Sequence, residues 1–410
     1  MSWKEGIIGD NCEVLSSKRI FAKDYVENGI PFYRSKEIIH KAFNQFTKDE
    51  VFIRKEKFDS IKEKFGAPQK GDALISSVGN RSGVCYWIKE DYDFYFKDGN
   101  LIWFRNFNDK LLSKYLVYFL NSDLGQSKIN NVFIGAAQKA LTIQGVKKIK
   151  LDLPPLPTQK KIASILSAYD DLIENNLKRI KLLEEAAQHI YKEWFVDFKF
   201  PNHENTPINP ETGLPEGWEM QTIQDVAKTI GGGTPSTKKT EYWESGNIHW
   251  FSPTDLSKSS SLVLLDSSKK INDLGLKKSS AKLLPPKTIL MSSRATIGLF
   301  GLIDNECSTN QGFINIIPNN DNYRYYILFN LMNRKSELEA NASGATFKEL
   351  SKTNFRRMPI INPSEKIVFE FNSFTQGIFE SLKNLAQQNQ SLKEARDLLL
   401  PRLMNRTLEV

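Results

Sequence analysis

Cysteine and histidine are scarce in this chain, three and four among 410 residues. The cysteines, Cys12, Cys85 and Cys307, are odd in number and scattered, with no Cys-x-x-Cys pair, which argues against a disulfide framework or a zinc site. They read as reduced core thiols. The histidines, His40, His189, His203 and His249, stand apart from one another and from the cysteines, so they show no metal-ligand spacing and read as surface or packing residues. No apolar run is long enough to span a bilayer, and the opening Met-Ser-Trp-Lys-Glu-Gly lacks a signal core; a cytoplasmic protein without membrane contact is expected. Gly231-Gly232-Gly233-Thr234 is glycine-rich but lacks the Gly-x-x-x-x-Gly-Lys spacing of a phosphate loop. Asp152-Leu153-Pro154-Pro155 matches the Asn/Asp-Pro-Pro-aromatic motif of amino-methyltransferases only superficially, because Leu153 interrupts it and no aromatic follows. Catalysis has no local foothold.

What the chain does have is the same message twice. Trp3, Ile8 and Asp10 find counterparts in Trp218, Ile223 and Asp225; Ile30, Phe32 and Tyr33 in Ile248, Trp250 and Phe251; Leu74, Ser76 and Ser77 in Leu290, Ser292 and Ser293. The match is best near the end of each copy. There Gly135, Ala136, Lys139, Leu141, Thr142 and Val146 through Ile149 answer at one constant offset to Gly344, Ala345, Lys348, Leu350, Ser351 and Phe355 through Met358. A repeat of this period is a whole domain plus a helix, so one polypeptide imitates a symmetric dimer.

Each copy ends in a long amphipathic segment. Leu153 to Thr158, Leu-Pro-Pro-Leu-Pro-Thr, is expected to be extended, because proline fixes its own φ and disfavours a helical predecessor. From Gln159 to Phe195 there is neither Pro nor Gly, and Ile162, Ile165, Tyr169, Leu172, Ile173, Leu177, Ile180, Leu183, Ala187, Ile190 and Trp194 recur every three or four positions. Such a helix is a rod of roughly 55 Å at about 1.5 Å per residue, too long for one small domain to support. It needs a partner. After Pro363 the second helix carries Ile378, Leu382, Leu385, Asn389, Leu392, Leu399 and Leu403 on one face, with Asn389 as a polar register device. The expected fold is α+β: two mixed α/β domains in pseudo-twofold repeat, separated by two long antiparallel coiled-coil-like helices. The boundaries are a first domain at 1–152, a central helix at 153–198, a linker at 199–217, a second domain at 218–362 and a C-terminal helix at 363–410.

A net charge of +8 and a pI near 9.0 suit a polyanionic partner. In the second copy, Thr234, Ser236, Lys238, Tyr242 and Trp243 form one glycine-led segment whose hydroxyls and cations suit phosphates and whose aromatics suit sugars or bases. A solvated loop with a buried Trp fits the same residues. Arg294 follows the Ser292-Ser293 turn, and Arg81 follows Ser76-Ser77 after a short insertion; an Arg so placed can fork onto guanine or simply be solvated. Lys139 and Lys348 occupy equivalent places, with Gln138 and Phe347 beside them. Lys147-Lys148 and Arg356-Arg357 fit either phosphate contacts or edge charges.

In combination, four segments are highly specific: Leu153-Pro154-Pro155-Leu156-Pro157-Thr158-Gln159-Lys160-Lys161-Ile162, Leu214-Pro215-Glu216-Gly217-Trp218-Glu219, Gly232-Gly233-Thr234-Pro235-Ser236 and Trp250-Phe251-Ser252-Pro253-Thr254-Asp255-Leu256. On them, over nearly its whole length, the chain resembles the specificity subunit of type I restriction-modification systems. The first domain departs from the pattern, with no Gly-Gly-Thr-Pro-Ser equivalent near Ser16 and an altered Ser-Ser turn. The resemblance implies a non-catalytic, DNA-binding subunit serving host defence. Two target-recognition domains would each read half of a split, asymmetric site in double-stranded DNA. The helices would space them and bind two modification subunits, which carry S-adenosylmethionine and methylate adenine. Restriction subunits, where present, cut DNA with ATP and Mg. The chain itself is expected to hold no cofactor or metal. Ser76, Arg81, Gln138, Lys139, Thr234, Ser236, Lys238, Tyr242, Ser292, Arg294, Phe347 and Lys348 are the candidate DNA contacts. Two rival readings are a duplicated coiled-coil scaffold that binds proteins, and a nuclease or methyltransferase with a diverged site.

Overall fold

Short apolar runs flanked by turn residues become strands in both copies, in the same order. In the computed structural model, which describes residues 3–45, 50–135, 140–344 and 348–410, the strands of the first copy are β1 (Lys4–Ile7), β2 (Glu13–Leu15), β3 (Tyr25–Val26), β4 (Ile30–Tyr33), β5 (Phe52–Ile53), β6 (Ala73–Ser76), β7 (Cys85–Trp87), β8 (Tyr95–Phe96), β9 (Leu101–Arg105) and β10 (Lys150–Leu153). Those of the second copy are β11 (Glu219–Thr222), β12 (Ala227–Gly231), β13 (Ile248–Phe251), β14 (Lys269–Ile271), β15 (Ile289–Ser292), β16 (Phe300–Leu302), β17 (Cys307–Thr309), β18 (Phe313–Pro318) and β19 (Pro359–Asn362).

The central sheets, β2-β9-β6-β7 and β12-β18-β15-β16, are antiparallel and share one strand order. Their inner strands, Ala-Leu-Ile-Ser and Ile-Leu-Met-Ser, are buried on both faces, which is why they read as unbroken apolar runs. A second sheet in each copy contains a parallel pair, β4 with β8 and β13 with β17. Each copy then closes by pairing its first strand with its last: Lys4 stands opposite Leu153, and Glu219 opposite Asn362. Even single bonds are duplicated. Tyr115 Oη donates to Asp152 O, and Tyr326 Oη donates to Ile361 O. Cys12, Cys85 and Cys307 are buried free thiols, and burial pushes those of Cys12 and Cys307 up to about 12.

The long helices run Leu156–Phe195 and Glu365–Met404. The stretch expected to be extended through Thr158 is therefore helical from Leu156. Gln159 N donates to Pro155 O (3.0 Å), and Pro157 falls in the first turn, where its missing N–H has no intrahelical partner to lose. Gln159 anchors this start. Its amide donates to Lys110 O (2.7 Å) and Pro154 O (2.8 Å) and accepts from Leu112 N (2.8 Å).

The chain divides into two compact units, residues 1–174 with 391–410, and residues 175–390. Within each, the helices pack antiparallel, so that the number of one partner rises as the other falls. In the first unit Arg396 meets Asp170 (2.6 Å). In the second Asn176 meets Asn389 (3.0 Å), and the Trp194 ring lies 5.8 Å from that of Phe371. The seam is heptad-like. Leu166, Ile173, Ile180 and Ala187 are all buried and fall seven apart, as do Val368, Thr375, Leu382 and Asn389. Of the expected pairing residues, Leu177 and Leu385 are also buried, while Leu183, Ile378 and Leu392 are half-buried. Leu172, one step off the heptad, is 51% exposed. Among the described residues no helix is long and apolar enough to cross a membrane.

Two predictions follow the packing. Asn176 and Asn389 are both buried, and Asn389 Nδ2 has no partner among the described residues. Asn389→Leu leaves the buried Asn176 amide only its longer bond to Gln388 Oε1 (3.4 Å) and should cost about 1–3 kcal/mol in denaturant unfolding, whereas the double Asn176→Leu, Asn389→Leu variant should regain that loss. A double variant no more stable than the single one would show the two amides to be uncoupled. Glu184, on the central helix, accepts from Leu262 N (2.6 Å) and Ser261 Oγ (3.2 Å), yet burial outweighs these bonds and pushes its carboxyl up to about 7. Its proton is bound more tightly in the folded state, so stability should fall as pH rises from about 4.5 to about 7 and level off above. Glu184→Gln should abolish that decline and add on the order of 2 kcal/mol at pH 8. Thermal unfolding against pH tests it, and parallel curves for the two proteins would contradict it.

Candidate nucleic-acid interface

Each central sheet ends in a pair of buried serines whose hydroxyls fold the chain over the strand tip. Ser76 Oγ donates to Arg81 O (2.7 Å) and accepts from Val84 N (3.0 Å); Ser292 Oγ donates to Thr296 O (2.6 Å) and accepts from Leu299 N (2.9 Å). Gly83 N and Gly298 N close the two turns on Ser76 O and Ser292 O, with φ of +95° and +74°. The second serine of each pair carries the neighbouring loops. Ser77 N donates to Asn100 O (2.9 Å) and Ser77 O accepts from Leu141 N (2.8 Å); Ser293 N donates to Gly312 O (2.8 Å) and Ser293 O accepts from Leu350 N (3.0 Å). Ser76 and Ser292 are thus internal to the turn and present no free hydroxyl at the surface. This bonding also aligns the copies. Arg81 corresponds to Thr296, and the residue that occupies the place of Arg294 is Val78, since Val78 bridges Ala140 as Arg294 bridges Glu349.

In the second copy the turn gathers a polar rim. Exposed Arg294 reaches Glu349 (2.9 Å), and Lys348 is exposed next to it. Gly312 ties the turn to Asn310 and Gln311, and Gln311 Oε1 accepts from Thr234 Oγ1. Thr234, Arg294 and Lys348 are therefore brought together, with Gln311 and Glu349, which sequence reasoning missed. Nothing in one copy signals Glu349, because its counterpart is Ala140.

The glycines leading to this rim permit close approach of neighbouring backbone. A Cβ on Gly232 would lie 2.0 Å from Asn310 O, and one on Gly233 would lie 2.4 Å from Ser280. Ser236 and Lys238 continue the segment as exposed residues, and Ser236 O accepts from Trp243 Nε1 (3.2 Å). Tyr242 is placed differently. It is buried, with Gly275 against its carbonyl and Cβ and Lys239 Nζ on its hydroxyl (3.1 Å), and so it is not part of the exposed rim. Arg356 is held by Thr229 through Oγ1 (2.6 Å) and O (2.9 Å), an internal brace. In the first copy Arg81 is exposed, its guanidinium 5.6 Å from the Phe43 ring. Gln138, Lys139 and Phe347 lie outside the described residues. Among the described residues no three of His, Cys, Asp and Glu converge as metal ligands would.

A family model described as the type I restriction modification DNA specificity domain matches the chain twice, over residues 1–185 and 215–399. The chain belongs to the type I restriction-modification specificity subunits. As such it is the DNA target-recognition subunit of a type I complex and is not itself catalytic. Among similar specificity subunits is that of MjaIX from Methanocaldococcus jannaschii, 29% identical over 75% of this chain and 72% of the relative. That of HindI from Haemophilus influenzae is 25% identical over 98% of this chain and 99% of the relative. The solved type I S subunit from M. genitalium shares the fold of this specificity subunit, with a TM-score of 0.60 at 15% identity over 98% of this chain and 96% of that one.

Proposed function

We propose that each domain of this specificity subunit reads one half of a bipartite site in double-stranded DNA, the first through the Ser77 turn and the second through the Ser293 turn. The observation that carries this reading is the duplication of one bonded scaffold, Ser77 with Asn100 and Leu141, and Ser293 with Gly312 and Leu350, under unlike surface residues. One backbone presents two chemistries, as two different half-sites require. Of the candidate contacts, Arg294 suits base edges and Lys348, Thr234, Ser236 and Lys238 suit phosphates; Ser76 and Ser292 act by holding the turns. The paired helices set the spacing between half-sites and dock two modification subunits. Those subunits hold S-adenosylmethionine, and any restriction subunits use ATP and Mg, so the specificity subunit needs no cofactor of its own.

Arg294→Ala should weaken recognition of one half-site by roughly 1–3 kcal/mol and leave the base preference of the other intact. Lys348→Ala should weaken all sequences alike and lower the salt slope. Equilibrium DNA binding across half-site mutants and salt concentrations measures both, and an Arg294→Ala effect spread evenly over the two halves would contradict independent reading domains. The helices are tested by length. Asn176 faces Asn389, so four residues inserted at Asn175–Asn176 need four more after Asn389. This adds roughly 6 Å, between one and two base pairs, and about 400° of turn, which keeps the seam nearly in phase. The unspecified spacer should lengthen with both half-site sequences unchanged, while a two-residue insertion should impair folding. A well-folded four-residue variant that retains the original spacer would assign the ruler to something else.

A further inference from the structure

One pair of positions has the same backbone in both domains and opposite chemistry. Val78 bridges Ala140 and Arg294 bridges Glu349, each one residue beyond the second serine, and Ala140 and Glu349 each make a further bridge, to Ile134 and to Ser343. In the first domain the two side chains are apolar and half-buried. In the second they form an ion pair at 2.9 Å with Arg294 45% and Glu349 47% exposed. The ion pair is not what builds the turn, because the first domain makes the same bridge without it. An ion pair this exposed also contributes little to stability. Its chemistry is free for another use.

We infer that these two bridged positions are the specificity-determining pair of each domain: Arg294 with Glu349 selects a G·C pair, and Val78 with Ala140 selects the methyl edge of a thymine. The inference rests on the reading that each domain recognises one half-site. In the major groove guanine offers two acceptors, O6 and N7, which fit the guanidinium fork, and its partner cytosine offers the N4 amino donor, which fits a carboxylate. No other base pair satisfies both groups. A·T offers one acceptor beside a donor on adenine, and thymine adds an acceptor that a carboxylate repels. Arg294 alone would be drawn to any phosphate. Glu349 opposes that attraction, holds Arg294 Nη2 in the free protein and gives it up only to a partner at least as well matched, so the acidic residue supplies discrimination and the basic one affinity. Val78 and Ala140 have no polar side-chain atom to satisfy, and their place on the same backbone suits contact with the thymine C5 methyl group.

The test is made on the subunit assembled with its modification partners, by mapping the methylated sites and measuring binding to duplexes that vary one base pair at a time. The wild-type half-site of the second domain should contain a fixed G·C pair that Arg294→Val, Glu349→Ala relaxes or shifts to A·T, every other position in both half-sites being unchanged. Glu349→Gln keeps an acceptor for Arg294 and guards against loss of fold. It should tighten binding to non-cognate duplexes and reduce discrimination at that one pair by roughly five- to hundredfold. Unchanged discrimination at every position in Glu349→Gln, or an unchanged motif in a folded double variant, overturns the assignment of the pair while leaving the two-domain reading standing. Altered bases in both half-sites from either variant, or a wild-type motif that is not bipartite, overturns the two-domain reading itself.

Discussion

The antiparallel register of the two long helices is the constraint on which the rest depends. A helix of forty residues presents its apolar seam to a partner in only a few registers, one heptad apart, and the cost of choosing wrongly falls on the polar pair buried within it. Asn176 opposite Asn389 and Asp170 opposite Arg396 each satisfy one another only where the numbering of the helices is matched as observed. A slip by one heptad would bury the Asn176 amide against Leu382 or Arg396 instead. That register also decides which residues complete each domain: Ile162, Leu166, Leu403 and Met404 join the core formed by Ile8, Leu116 and Val146, while Tyr191 and Phe195 stack among Trp218, Tyr326 and Phe371.

On these cores the recognition surface is built by saturation. The hydroxyls and amides at the two strand tips are almost all used internally, so the turns are held by buried bonds whose worth does not depend on what lies outside them. The outward side chains are then released from structural duty. Such a surface can change its residues between copies without changing its shape, as Val78 and Arg294 illustrate.

The duplication and the helical seam were legible in the sequence because both are periodic, and a period survives the replacement of individual residues. The Ser-Ser turns were legible only through the second copy, and the pairing of β1 with β10 was not legible, since it joins segments some 145 residues apart. Burial of Tyr242 was not, because it comes with tertiary packing such as the close approach of Gly275, thirty-three positions later, to its backbone and Cβ. The central helix starts three residues earlier than its sequence suggests, since proline is disfavoured in the helix interior but tolerated in its first turn. Glu349 and Gln311 escaped notice because their meaning comes from a bridge and a carbonyl contact between segments distant in sequence.

Residues 391–410 belong to the same compact unit as residues 1–174, and Arg406 lies over the Trp3 ring at 4.5 Å. The order of synthesis therefore conflicts with the order of assembly. At about 5–20 residues per second, the segment that supplies Leu403 and Met404 leaves the ribosome roughly ten to fifty seconds after the core that receives it. For that interval, while the second unit is being made, the first still exposes the apolar strip on Ile162 and Leu166. The nascent chain is thus most vulnerable to aggregation at its oldest part, and a chaperone would be needed longest there.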